Sequence, residues 1–206
     1  MTRFIGDSHE IATTILENLS DTLGLKDGER FEGYHNPKKP STSTVALQHY
    51  PLKDLPPNTS IGHFTHTDTG SVTVLFNTDW GLQVYIPESN KWEYVAPREG
   101  CAIVNIGDAL KFMSGFKLKS SLHRVVPWHG HWTSGPRYAT IFFLRPDNDA
   151  TFTDAEGVHW TAAEWLNRKF QNYRVPHKEQ ELNAISTGRK GFSGLWDATH
   201  QSTIVS

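Results

Sequence analysis

Three residues, His66, Asp68 and His123, have the types and spacing of a metal site. On a β-strand, residues two apart point to the same face, so we expect His66 and Asp68 to lie side by side. His123 comes from a later β-like segment and can return to complete the set. Two histidines and one carboxylate with open positions suit non-haem Fe(II) and oxygen chemistry. The chain has 11 histidines, so a chance surface pair is the alternative interpretation of the His-x-Asp segment.

Arg137 opens an apolar segment that ends at Leu144. An arginine on a strand that faces an apolar interior is costly unless an anion meets it. Its planar guanidinium suits a carboxylate held by two parallel hydrogen bonds. A dicarboxylate that chelates the metal at one end and reaches Arg137 with the other would account for both features.

Helices are predicted on either side of a β-rich middle. The first runs from Asp7 to Gly24, with Asp7 and Glu10 as a capping box and Gly24 as its stop. Its apolar residues recur at spacing four: Ile11, Ile15, Leu19 and Leu23. A second helix opens at Thr161 with Glu164 as its capping partner, and its apolar face is predicted to consist of Leu166, Phe170 and Tyr173.

Short β runs separated by turn signals fill residues 44–146, and they predict a double-sheet jelly-roll barrel, mainly β with flanking helices. The runs are Val45–Tyr50, Gly62–Asn77, Gly81–Ile86, Trp92–Val95, Ala102–Ile106, Ser120–Val126 and Tyr138–Leu144. The predicted organisation is therefore an N-terminal helix and loop (1–43), the barrel core (44–146), and a C-terminal helix with a polar tail (147–206).

Composition narrows the class of protein. The chain has 206 residues, a net charge of −2 and one cysteine, Cys101. A nearly neutral charge does not indicate a nucleic-acid partner. The sequence has no long apolar run and no apolar signal core, so a membrane partner is not expected. One cysteine fits a reducing compartment, so a cytoplasmic protein that acts on a small molecule is expected. The oligomeric state stays open.

Landmarks in a fixed order resemble a known family over about half of the chain, from Leu47 to Pro146. They are His49-Tyr-Pro51, His66-Thr-Asp68, Gly81-Leu-Gln-Val-Tyr85, Trp92, Val95, Pro97, Ile103-Val-Asn-Ile-Gly-Asp108, Leu118, Ser120, His123-Arg124 and Arg137. This order is similar to that of the Fe(II)/2-oxoglutarate-dependent oxygenases of the isopenicillin N synthase-like branch.

The resemblance implies a role for each matching position. The metal triad would be the iron ligands, and Arg137 would bind the distal carboxylate of 2-oxoglutarate. Tyr50 and Gln48 would assist in binding this co-substrate. With Fe(II), 2-oxoglutarate and O2, the family oxidises a C–H bond of a second substrate and releases succinate and carbon dioxide.

The chain also departs from the family in three places. Ala139 stands where relatives commonly have a serine that helps to bind the co-substrate. The segment between His123 and Arg137 is longer than usual; its His129 and His131 can bind a metal, but a turn at a hairpin tip is favoured. The chain lacks most of the usual N-terminal region.

Strand parity gives the candidate substrate-binding residues. Phe64 should share the face of His66, and Phe143 should share the face of Arg137; Leu82 is a third candidate. The few charges at these positions favour an apolar or aromatic small molecule, although ordinary barrel core is the alternative interpretation of these side chains. The family resemblance implies that the C–H bond of this molecule is hydroxylated or desaturated, as in secondary metabolism. The alternative is a degenerate or truncated metal-binding barrel without oxygenase turnover.

Overall fold

The computed structural model describes residues 1–50, 63–126, 136–175, 179 and 203–205. Its helices are α1 (Thr2–Thr22), a 3-10 helix (Phe31–Tyr34), α2 (Asp108–Met113) and α3 (Ala162–Asn172). Its strands are β1 (Thr44–Tyr50), β2 (His63–His66), β3 (Val72–Asn77), β4 (Leu82–Ile86), β5 (Lys91–Val95), β6 (Ile103–Ile106), β7 (His123–Val125), β8 (Arg137–Leu144), β9 (Thr151–Thr153), β10 (His159–Thr161) and β11 (Thr203–Val205).

Two sheets enclose the interior, which confirms the predicted jelly roll. The first has the strand order β1-β8-β3-β6 and the second has the order β11-β5-β4-β7-β2, while β9 and β10 form a separate pair. Side chains of both large sheets line one cavity. Among the described residues, no helix is both long and apolar enough to cross a membrane.

Strand β8 separates the cavity from the helical layer, because successive side chains of a strand point to opposite faces. Arg137, Ala139, Ile141 and Phe143 line the cavity. Phe142 and Leu144 point the other way, into an apolar cluster with residues of α1. One strand therefore supplies a wall of the cavity and the floor beneath α1.

Helix α1 is longer at its start than expected, and its predicted capping box is wrong. It begins at Thr2 after Met1, with no side-chain hydrogen bond at the cap. Ala12 and Leu16 are fully buried, whereas Ile11 is 48% exposed. Small residues let a helix approach a sheet closely, so the buried face is offset from the predicted one. The stop is confirmed, since Gly24 follows the helix with a φ of +65°.

Helix α3 begins with the predicted capping box of Thr161 and Glu164, which is present in both directions. The predicted apolar face is wrong in part, because Phe170 is 46% exposed. The buried positions are instead Ala162, Trp165, Lys169 and Asn172. The predicted division of the chain at residues 43/44 and 146/147 stays a prediction.

Candidate metal centre and cavity

A tight turn between the two sheets carries Asp68. The predicted run Gly62–Asn77 is two strands, with β2 in one sheet and β3 in the other. His66 is the last residue of β2, and Asp68 lies in the turn, not on the same strand as predicted. The turn passes close to the segment before α2, because a Cβ on Gly107 would lie 2.3 Å from the carbonyl oxygen of Gly70.

The structure brings His66, Asp68 and His123 together. Each offers one ligand atom, and these atoms lie within 4.8 Å of one another. Asp68 Oδ1 is 3.6 Å from His66 Nε2 and 3.8 Å from His123 Nε2. His66 on β2 is the pairing partner of His123 on β7, which places the two rings side by side with centroids 4.2 Å apart.

Hydrogen bonds fix the orientation of these side chains. Asp68 Oδ2 accepts from Thr73 Oγ1 at 2.6 Å and from Asn105 Nδ2 at 2.8 Å, so Oδ1 is the atom turned toward the histidines. His123 Nδ1 lies 3.0 Å from the carbonyl oxygen of Ser121. A carbonyl only accepts, so Nδ1 carries the proton and Nε2 keeps its lone pair toward the site.

The electrostatics favour a carboxylate at Asp68 beside a neutral His123 imidazole. Burial alone raises the pKa of Asp68, but the nearby His123 and His66 and the hydrogen bond from Asn105 outweigh it, so its pKa is well below the usual range. Burial, followed by the neighbouring His66, lowers the pKa of His123 to about 4. At neutral pH the cluster therefore offers one anion and unprotonated His123 nitrogen, which is the form that binds a divalent metal.

His63 is a cavity residue that the sequence analysis missed. It lies three positions before His66, so on a regular strand the two side chains would point to opposite faces. The pairing shifts between His63↔Val125 and His66↔His123, which marks a β-bulge. The bulge turns both rings to one side, where they stack with centroids 4.3 Å apart and line the cavity. No sequence pattern in the segment predicts this bulge.

Arg137 lies in another part of the same cavity. It pairs with Tyr50 across β1 and β8, and its guanidinium lies over the Tyr50 ring, 5.0 Å from the centroid. The side chain is 2% exposed, and its Nε and Nη1 have no hydrogen-bond partner among the described residues. Burial lowers the pKa of Arg137 from its usual value.

Gln48 and Ala139 form the next pair on the same face of the sheet, and both line the cavity. The Tyr50 hydroxyl donates to Gln48 Oε1. Ala139 is 4% exposed, and its methyl group brings no hydroxyl to this wall. All four residues predicted to bind a co-substrate therefore line one cavity with the metal triad.

The cavity has a volume of about 240 Å³. Leu82 and Phe143, two of the predicted substrate-binding residues, line it. The side chain of Phe64 is outside the described part, and the parity argument that selected it fails because of the bulge in β2. His129 and His131 also lie outside the described residues.

Arg124 and Cys101 lie outside the cavity. Arg124 is fully buried on the opposite face of β7 from His123, where its Nε donates to Gln83 Oε1 at 2.7 Å and its guanidinium lies over the Trp92 ring. Cys101 is exposed before β6. Neither residue lines the cavity.

Comparison with known proteins identifies the family. The model of the 2OG-Fe(II) oxygenase superfamily matches residues 41–146. The chain belongs to this superfamily. A 2-oxoglutarate-dependent dioxygenase of Amanita muscaria, iboH, is 45% identical over 187 residues, which cover 90% of each chain. A 2-oxoglutarate-dependent dioxygenase of Gibberella zeae is 39% identical over 90% of this chain and 55% of its own length.

Solved structures agree with this membership. A 2OG-Fe(II) oxygenase family protein from Caulobacter crescentus is similar with a TM-score of 0.68 and 25% identity, over 84% of this chain and 58% of that one. Apart from the Amanita protein, the chain spans about half the length of the curated superfamily relatives it matches. The isopenicillin N synthase-like branch is consistent with these matches.

Proposed function

We propose that the protein is an Fe(II)- and 2-oxoglutarate-dependent dioxygenase that hydroxylates or desaturates a C–H bond of a small organic molecule. One observation carries the proposal: three convergent ligand atoms and a buried, under-partnered guanidinium line the same cavity. The superfamily membership supplies the class of reaction, and the cavity supplies the candidate residues.

The donor set fits Fe(II). His66, Asp68 and His123 would hold the ion as two imidazoles and one carboxylate, which leaves coordination positions open. Asp68 would bind through Oδ1, because Oδ2 is engaged by Thr73 and Asn105. Iron held by these residues would supply activation of O2, coupled to oxidative decarboxylation of 2-oxoglutarate to succinate and carbon dioxide.

The wall around Arg137 fits a carboxylate of 2-oxoglutarate. A buried guanidinium with two donors lacking partners among the described residues is unfavourable unless an anion arrives. A carboxylate can take both donors in parallel. Tyr50 and Gln48 would hold the same co-substrate, while Ala139 removes one donor that relatives commonly have.

The remaining walls of the cavity favour a substrate with a substantial apolar part. Leu82, Val84, Ile141 and Phe143 line it and present hydrocarbon. In our proposal, Leu82 and Phe143 contact the substrate and exclude water from the oxidised carbon. Phe64 is retained as a third candidate. His63 adds a hydrogen-bonding group to the same cavity, which suits a substrate that also carries a polar group.

The wider setting is part of the proposal. The absence of a basic stripe in the sequence favours a small molecule over nucleic acid. The single cysteine favours a cytoplasmic location. Fungal relatives named as dioxygenases support a role in secondary metabolism.

The decisive experiment adds Fe(II) and 2-oxoglutarate to the protein without oxygen and follows the weak visible charge-transfer band of the chelate. We expect the band in the parent and in Asp7→Ala, which removes an exposed carboxylate from α1. Asp68→Ala should lose it, because the ligand set loses its anion and affinity should fall more than about 100-fold. A parent protein without the band would contradict the proposal.

The same samples separate the enzyme from a metal-binding barrel without turnover. On exposure to oxygen, an oxygenase should release succinate slowly even without its substrate. A parent that forms the chelate but yields no succinate with any small-molecule panel would favour the degenerate barrel.

A further inference from the structure

The underside of the Asp68 turn meets a buried lysine from the C-terminal helix. Lys169 of α3 is 0% exposed. Its Nζ donates to the carbonyl oxygen of Thr67, to Thr67 Oγ1 at 2.7 Å and to Asp108 Oδ2. Thr67 stands between the two candidate ligands His66 and Asp68, so two of the three hydrogen bonds from this ammonium end at the centre of the ligand-bearing segment.

Asp108 ties the same network to Asp68 by a second route. Its backbone N–H donates to the carbonyl oxygen of Asp68 at 2.8 Å, and its Oδ2 also accepts from Thr67 Oγ1 at 3.1 Å. Asp108 is 1% exposed, and its Oδ1 has no hydrogen-bond partner among the described residues. Lys169 is therefore the cation that lets this carboxylate remain buried.

A second residue of α3 reaches the site one turn later. The Tyr173 ring meets the His66 ring edge-on, with centroids 6.4 Å apart. Lys169 and Tyr173 are four residues apart, so they share one face of the helix end. This face is directed at His66 and Thr67, and it lies outside residues 41–146 that match the family.

We propose that Lys169 is a positioning residue of the Fe(II) site, which orients His66 and Asp68 through Thr67 and Asp108. A well-packed apolar side chain at a fully buried position avoids the desolvation of two charges. The ion pair instead supplies directional bonds to Thr67, and the Asp108 backbone N–H donates to the carbonyl oxygen of Asp68. Partners that orient metal ligands set metal affinity, and their loss typically weakens it 10–100-fold. The inference rests on the proposed function, because it requires an iron site.

The test measures Fe(II) affinity without oxygen in Lys169→Met, a substitution of similar length. We expect affinity to fall about 10–100-fold. The affinity of the iron-saturated protein for 2-oxoglutarate should change less than about twofold, because Arg137 lies on β8 and not in the segment that Lys169 contacts. In the metal-free protein, the amides of residues 67–71 should exchange hydrogen faster than in the parent, a readout that requires no activity.

Two further variants keep the test decisive. Arg168→Met removes a positive charge from the neighbouring position of α3 and should leave Fe(II) affinity unchanged. The double variant Lys169→Met/Asp108→Asn removes both buried charges and serves if the single variant does not fold. We expect it to bind Fe(II) about as weakly as the single variant, because Thr67 still lacks its donor.

The outcomes separate the inference from the proposed function. A parent that binds no Fe(II) would overturn the proposed function itself. A parent that binds, with Lys169→Met binding equally tightly, would overturn only the role of Lys169. Recovery of parental affinity in the double variant would also overturn it, because the lysine would then serve only to neutralise Asp108.

Discussion

The metal triad and the Arg137 wall of the same cavity are built in opposite ways. Around the triad, Asp68 Oδ2 accepts two hydrogen bonds, His123 is fixed by Ser121, and Lys169 holds Thr67. Around Arg137, two guanidinium donors have no partner among the described residues, and the guanidinium lies over the Tyr50 ring. The protein therefore orients the metal end with its own hydrogen bonds, whereas in our proposal a carboxylate of 2-oxoglutarate completes the Arg137 end. The two ends should respond differently to pH, substitution and 2-oxoglutarate.

The largest expected effect is the pH dependence of the metal end. His35 is buried, with Nδ1 2.7 Å from the Phe31 carbonyl oxygen and Nε2 2.8 Å from Ser71 Oγ, at the end of the Asp68 turn. Burial lowers the pKa of His35 to about 4 from an ordinary value near 6.5. Below pH 6.5 His35 is protonated in the unfolded chain but stays neutral in the folded protein. The free energy of unfolding therefore decreases as the pH is lowered from about 6.5 to about 4. The full loss is about 3 kcal/mol.

Denaturant titrations between about pH 7 and about pH 4.5 measure this loss. His35→Gln should make the slope shallower, while His159→Gln, at an exposed position, should keep the parental slope. The lowered pKa values of Asp68 and His123 act in the same direction, so the difference between the parent and His35→Gln isolates His35. Parallel curves for the parent and His35→Gln would show that His35 is not held neutral.

The next largest effect concerns 2-oxoglutarate affinity at the other end. Arg137→Ala removes a charge-assisted, two-pronged contact and should weaken binding by about 1.5–3 kcal/mol, or about 10–150-fold. Arg137→Lys keeps the charge but loses the two-pronged geometry, so its 2-oxoglutarate affinity should lie between those of the parent and Arg137→Ala. Titration of 2-oxoglutarate into iron-loaded protein gives both values. Fe(II) affinity should stay unchanged, and Arg98→Ala, at an exposed arginine, is the matched control. Parental 2-oxoglutarate affinity in Arg137→Ala would mean that another residue binds the carboxylate.

Stability without ligands should separate the two ends by sign. Arg137→Met replaces two buried donors that have no partner among the described residues with hydrocarbon. We expect the free energy of unfolding to rise by about 1–2 kcal/mol, a net value that includes the loss of the contact with the Tyr50 ring. Lys169→Met should lower it, since Asp108 is left as a buried, unpaired carboxylate. Thermal or denaturant unfolding of the metal-free variants compares them directly. A destabilised Arg137→Met would mean that the Arg137 wall is also complete without a ligand.

The sequence predicted the barrel because clear turn signals separate its strands. It predicted the start of α3 because the capping box of Thr161 and Glu164 involves only neighbouring residues. It could not predict the offset of α1, since packing on the sheet favours Ala12 over Ile11. Parity arguments failed where the chain departs from a regular strand. A bulge brings His63 beside His66, and Asp68 occupies a turn instead of a strand.

Long-range partners were equally hidden. Lys169 follows Thr67 by more than 100 residues, and nothing in the helix pattern of α3 distinguishes it from a surface lysine. The triad itself could be predicted because only a few residue types bind metals, and two histidines with one carboxylate suit a small set of metal ions. The sequence predicted helix α3 but not its contact with the triad segment, because a supporting residue is defined by what it contacts.

The smallest expected effect tests the missing hydroxyl beside Arg137. Ala139 lies two residues along β8 on the same face as Arg137 and lines the cavity. Ala139→Ser places a donor there, and a neutral hydrogen bond contributes about 0.5–1.5 kcal/mol, so 2-oxoglutarate should bind up to about tenfold more tightly. Ala46→Ser is the control, because Ala46 pairs with Ile141 and adds the same hydroxyl farther from Arg137. Titration of 2-oxoglutarate into the two iron-loaded variants compares them. Equal affinities would place the carboxylate away from Ala139, and the contrast between the two ends would then rest on Arg137 alone.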